Sequence, residues 1–142
     1  MVRFMLHGDG TGTIAGEVTQ HGTLITKMKD LAPDIARQRM VVEGTLHLPF
    51  APLEMVGYCI DVTEMLGMTP VSSPICNHDP NYGWCAYMHW KESGMHIYGW
   101  DNRKPPFFSI DIYTCKAFSE EDVVKFTRDF FGSNLIELVW KS

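Results

Sequence analysis

Apolar and polar side chains alternate through the middle of the chain. From Trp84 to Lys91, Trp84, Ala86, Met88 and Trp90 fall on one side of a period of two, and Cys85, Tyr87, His89 and Lys91 on the other. That is the pattern of a strand with one buried face. Glu92-Ser93 follows, Gly94 breaks the run, and Met95, Ile97 and Gly99 then alternate against His96, Tyr98 and Trp100. A second strand is predicted within two or three residues of the first, with Ser93 at the joint. Asp101 to Pro106 is a polar turn that a central strand would not tolerate. Beyond it Phe108, Ile110, Ile112 and Thr114 alternate with Ser109, Asp111, Tyr113 and Cys115, a third strand that ends at a thiol.

The flanking segments supply the other layer. Met40 to Leu48, rich in Val, Thr and Leu, reads as a strand. Pro52 to Leu66 reads as a helix with Met55, Cys59, Val62 and Leu66 on one stripe and Gly67 as its stop. Pro70 to Asn81 reads as loop. Ser119 with Asp122 three residues on approximates a capping box, opening a helix whose Val123, Phe126 and Phe130 face inward and which ends at Gly132. Leu135 to Trp140 closes as a strand. The order β-α-β-β-β-α-β predicts an α+β fold, a two-layer sandwich of a mostly antiparallel sheet with helices on one face, over residues 38–142. Residues 1–37 read as a separate N-terminal extension. It holds a short strand at Val2 to Leu6, a glycine-rich stretch from His7 to Gly16, and a helix over Leu24 to Arg37 despite Pro33. Gly8-Asp9-Gly10-Thr11-Gly12 lacks the Lys-Ser/Thr ending of a P-loop and the spacing of a dinucleotide fingerprint, so it reads as a plain glycine turn.

Composition narrows the class. With 142 residues, 45% hydrophobic and 20% charged, the chain can bury one sizeable core. A net charge of -5 offers no basic footprint for nucleic acid or an anionic membrane. No apolar run approaches the roughly 20 residues that span a bilayer, and no signal-peptide pattern is present. Cys59, Cys76, Cys85 and Cys115 lack a Cys-x-x-Cys motif, which predicts free thiols and a cytoplasmic home. His47, His89, His96 and the Cys76-x-His78 pair lack the paired spacing of a zinc site, so no metal is expected. The four tryptophans, with Tyr82, Tyr87 and Tyr98, offer ring faces for an adenine or a sulfonium, and core packing accounts for them equally well. An exposed sheet face or edge would favour a homodimer.

The Glu92-Ser93 pair, Trp100 seven residues after the serine, and the Asp111-Ile-Tyr-Thr-Cys115 run resemble the core of the prokaryotic S-adenosylmethionine decarboxylases, pyruvoyl enzymes of polyamine synthesis. The likeness spans roughly Arg39 to Trp140. It implies that the Ser93 hydroxyl attacks the Glu92 carbonyl, that the peptide rearranges to an ester, and that elimination leaves one chain ending in Glu92 and another beginning with a pyruvoyl group made from Ser93. That group would serve as electron sink for decarboxylation of S-adenosylmethionine or a related amino acid, with Cys115 matching the thiol that returns a proton. Family members typically pair as homodimers.

Two helper positions depart from the family pattern. Eight residues before the reactive serine, where the family carries a second serine, stands Cys85, a partial substitute. Five residues after it, where the family has a histidine base, stands Tyr98. The phenol, with a reference pKa near 10, is a poor base at neutral pH. His96 lies two residues earlier on the same face. The expected catalytic set is therefore Glu92, Ser93 and Cys115, assisted by Cys85, His96 and Tyr98. The alternatives are an uncleaved homologue that binds S-adenosylmethionine or another small ligand for different chemistry or regulation, and an interaction protein that uses residues 1–37 to dock.

Overall fold

The computed structural model describes residues 29–142 in full, and before them the backbone of three short strands: β1 (Val2–Leu6), β2 (Ile14–Val18) and β3 (Leu24–Thr26). These pair in sequence order into a small antiparallel sheet. The chain divides into two compact units, residues 1–34 and 35–142. The strand expected at Val2 to Leu6 is present. The helix expected over Leu24 to Arg37 is not: Leu24–Thr26 is strand, and residues 29–37 are turns and irregular chain. Leu31 and Ile35 are 80% and 50% exposed. An isolated helix of this length needs a surface to bury its apolar stripe, and Pro33 removes a donor from its middle. The Gly8 to Gly12 stretch lies outside the described residues.

The larger unit is a six-stranded sheet with two helices on one face, the α+β sandwich expected. Its elements are β4 (Gln38–Leu46), α1 (Pro52–Met65), β5 (Ile75–Asp79), β6 (Gly83–Trp90), β7 (Ser93–Trp100), β8 (Phe107–Thr114), α2 (Glu120–Phe131), a 3-10 turn (Gly132–Asn134) and β9 (Leu135–Lys141). The sheet order is β5-β6-β7-β8-β4-β9, every neighbour antiparallel. One element adds to the expected order: the segment from Pro70 to Asn81, expected as loop, contains β5. It is an edge strand whose side chains are mostly exposed, so backbone pairing to β6 makes it a strand where no apolar alternation announces one.

The alternation of β6, β7 and β8 sorts their side chains as anticipated, and β4 follows the same period of two. Ala86, Met88, Trp90, Met95, Ile97, Phe108, Ile110, Ile112, Met40, Val42 and Leu46 are buried toward the helices. α1 presents Met55, Tyr58, Cys59 and Val62, and α2 presents Val123, Thr127 and Phe131. Ser119 caps α2, its hydroxyl accepting from the Asp122 N–H at 3.2 Å. Tyr58, outside the expected stripe of α1, meets Thr127 hydroxyl to hydroxyl at 2.7 Å. Because the Thr127 proton is committed to the Val123 carbonyl at 2.7 Å, the tyrosine is the donor. Burial holds this phenol well above its usual pKa and pushes the Cys59 thiol up to about 12, so both are neutral core groups. Among the described residues no helix is long and apolar enough to cross a membrane.

Candidate functional site

A two-residue turn, Lys91-Glu92, joins β6 to β7, so Trp90 pairs directly with Ser93. Gly94 does not break the strand; it lies inside β7, where a Cβ would come within 2.6 Å of the Met88 carbonyl oxygen. The turn is anchored from below by Trp90. Its buried indole donates to the Thr63 hydroxyl of α1 at 2.7 Å, which in turn donates to the Cys59 carbonyl at 2.6 Å. Ser93 has φ +132°, and among the described residues it is the one non-glycine with positive φ. An L-residue rarely adopts this conformation, and it persists only where the surroundings impose it.

On the other side of Ser93, β8 ends with Thr114 opposite it, and the chain turns away at Cys115. The Cys115 N–H donates to the Glu92 carbonyl oxygen at 2.8 Å. The carbonyl that precedes Ser93 is therefore polarised by a fixed donor, and the Cys115 thiol, exposed and unpaired, follows immediately in the chain. The Glu92 side chain is held separately, its carboxylate accepting from the Thr69 N–H and the Thr69 hydroxyl, each at 2.9 Å. The Thr69 backbone donor foremost, with its hydroxyl and the Lys116 charge adding, keeps this carboxyl below its usual range. Lys116 also donates to the Gly67 carbonyl at 2.6 Å.

Glu92, Ser93 and Cys115 are thus brought together, while Cys85, His96 and Tyr98 lie elsewhere. Cys85 pairs directly with Tyr98 across β6 and β7, five residues up the ladder from the turn, roughly 16 Å from Ser93 at the strand rise. His96 shares their open face of the sheet. It stacks against Tyr87 at 4.5 Å between ring centroids and against Tyr98 at 6.0 Å, beside the Arg39–Asp111 ion pair. This row runs on through Trp100 to Phe107. At its far end a cavity of about 360 Å³ is lined by Asp79, Tyr82, Gly83, Trp84, Cys85, Tyr98, Gly99 and Trp100. Of the four tryptophans Trp90 is core, Trp84 and Trp100 line this cavity, and Trp140 is half exposed on β9.

Sequence reasoning missed Thr69 and the Cys115 N–H. Neither carries a signal, since Thr69 is an exposed residue after a helix and every residue but proline has an N–H.

No curated protein matches the chain. Residues 53–139, more than half of it and containing all of α1 but its first residue, the hairpin, Cys115 and α2, match the family model described as S-adenosylmethionine decarboxylase. The chain belongs to the S-adenosylmethionine decarboxylase family.

Proposed function

We propose that this chain cleaves itself between Glu92 and Ser93 and acts as a pyruvoyl-dependent decarboxylase of S-adenosylmethionine or a related amino acid. The observation that carries this reading is the hydrogen bond from Cys115 N–H to the Glu92 carbonyl oxygen, beside a serine held at φ +132°. Attack by the Ser93 hydroxyl on that carbonyl places negative charge on its oxygen, which the 2.8 Å donor stabilises. Collapse breaks the C–N bond and leaves an ester between Glu92 and the serine oxygen, with the Ser93 nitrogen as a free amine. Loss of the Ser93 α-proton then expels Glu92 as a carboxylate and leaves a dehydroalanine. Its hydrolysis, consuming water and releasing ammonia, yields the pyruvoyl end. That group supplies an electron sink for the bond to the departing carboxylate. Cys115 stands next to it as the proton donor we assign for the product.

Tyr98 and Cys85 are too distant along the strand to serve Ser93 of their own chain. We propose a homodimer through the open sheet face, which carries the exposed Tyr98 and Tyr113, as the arrangement that lets them contribute. The four unpaired cysteines support a reducing, cytoplasmic setting.

Intact mass under denaturing conditions tests the reading: two fragments, the smaller, from residue 93 to 142, beginning with pyruvoyl, are expected. A single full-length mass after long incubation would sink it. The aromatic cavity remote from Ser93 favours the second reading, an uncleaved homologue that binds S-adenosylmethionine, for which a single mass and a ligand-dependent rise in melting temperature are expected. Cys115→Ala separates the two roles of that residue. The variant keeps its backbone N–H, so cleavage proceeds at the parent rate, while decarboxylation of the processed protein falls about 10²- to 10⁴-fold with the lost proton donor. Parallel mass and carbon dioxide release assays check both.

A further inference from the structure

We propose that Thr69 is a positioning residue for the Glu92–Ser93 bond: its N–H and hydroxyl, closing on the Glu92 carboxylate, hold the peptide in the conformation from which the Ser93 hydroxyl reaches the preceding carbonyl. The proposal rests on the self-cleavage reading above and gives a role to a side chain that reading leaves idle, because an acyl shift uses only the carbonyl of Glu92.

Three contacts place Thr69. Its own carbonyl accepts from the Lys91 N–H at 2.9 Å, Pro70 bridges Trp90, and the Val71 N–H donates to the His89 carbonyl at 2.9 Å. Residues 69–71 therefore run alongside the end of β6, in register with the turn. The stretch begins where Gly67, at φ +60°, ends α1 and lends its carbonyl to Lys116. Glu92 is consequently held at both ends, its side chain by Thr69 and its carbonyl oxygen by the Cys115 N–H. A residue gripped at both points cannot rotate to relax its neighbour, which is the condition for strain at Ser93 to survive. Lys116 is exposed, so its ionic share is small and Thr69 carries the effect.

The test follows cleavage of the purified full chain by mass against time, from about pH 3 to pH 8, a window that reaches below the ordinary carboxylate range. Thr69→Val loses the hydroxyl donor and is expected to slow cleavage about three- to ten-fold, the effect of one hydrogen bond. Thr69→Ser restores the parent rate. Glu92 must be ionised to be clamped, and Lys116 is the charged group facing it. Its lowered pKa means that cleavage falls only as pH drops below the usual carboxylate range, and Thr69→Val moves that acid limb upward. Cleavage by Thr69→Val at the parent rate with the same limb, or failure of Thr69→Ser to restore it, overturns the proposal. A parent chain that stays whole removes the self-cleavage reading instead. The clamp is then read with a glutamate-specific endoproteinase: several-fold faster cutting after Glu92 in Thr69→Val than in the parent supports it, and equal rates overturn it.

Discussion

Ser93→Ala is expected to remain a single full-length chain indefinitely, because no hydroxyl is left to attack the Glu92 carbonyl. Alanine keeps the strained φ, so the variant has about the parent precursor's stability. Ser93→Gly is equally uncleavable and should be the more stable of the two. Relieving a positive-φ L-residue returns on the order of 1–3 kcal/mol, and the added unfolded-state freedom of glycine takes back about 0.5–1 kcal/mol. A net gain of about 1 kcal/mol corresponds to a rise of about 4–8 °C in melting temperature for a unit of this size. Intact mass checks the first statement and thermal unfolding of the paired variants the second. A Ser93→Ala protein that still splits would move the scissile bond elsewhere. Equal melting of the alanine and glycine variants would mean that the chain stores no strain at Ser93.

Trp90→Ala should be the most damaging single change to stability near the site. The side chain is fully buried between the sheet and α1, and its indole N–H is spent on Thr63. Truncating a buried aromatic of this size costs about 3–5 kcal/mol. At the scaling above, that lowers the melting temperature by roughly 12 °C at least. Cleavage should fail at temperatures where the variant is still folded, because Trp90 is the last residue of β6 and sets the height of the Lys91-Glu92 turn above the helix layer. Trp90→Phe separates the causes. It fills much of the volume but loses the hydrogen bond, for a cost of about 1–2 kcal/mol. Urea unfolding of both variants beside the parent is the measurement. A Trp90→Ala protein within about 1 kcal/mol of the parent would contradict the anchoring role.

Much of the scaffold was legible because its strands are half buried. In β6, β7 and β8 one face packs on α1 and α2 and the other is open, so the period of two in the residues copies the period of two in the pleat. The joint at Glu92-Ser93 was legible for the same reason, since two alternating runs leave only a short connection between them. β5 was not. Ile75, Asn77, His78 and Asp79 are all exposed on an edge strand, so no inward-facing set marks it, and Pro70 and Pro74 suggest loop. The expected helix over Leu24 to Arg37 failed in the opposite direction: Leu31 and Ile35 are exposed and Pro33 lies between them, so that stretch has neither the burial nor the backbone donor that a short helix needs.

The candidate site divides along the same line. Local pattern alone specified which side chains of β6, β7 and β8 point inward, that a serine sits at the joint of β6 and β7, and that the strand after the polar turn runs to a thiol. Each of these depends on neighbours within a few residues. Packing alone supplied what surrounds the Glu92–Ser93 peptide. The antiparallel pairing of β7 with β8 delivers the Cys115 N–H to the Glu92 carbonyl from a point 23 residues along the chain, and the return of the chain after α1 delivers Thr69 to the carboxylate from 23 residues before. The register of β6 against β7 pairs Cys85 with Tyr98 and carries both away from Ser93. Contacts between residues distant in sequence depend on strand order and register, which the sheet acquires only when its core closes.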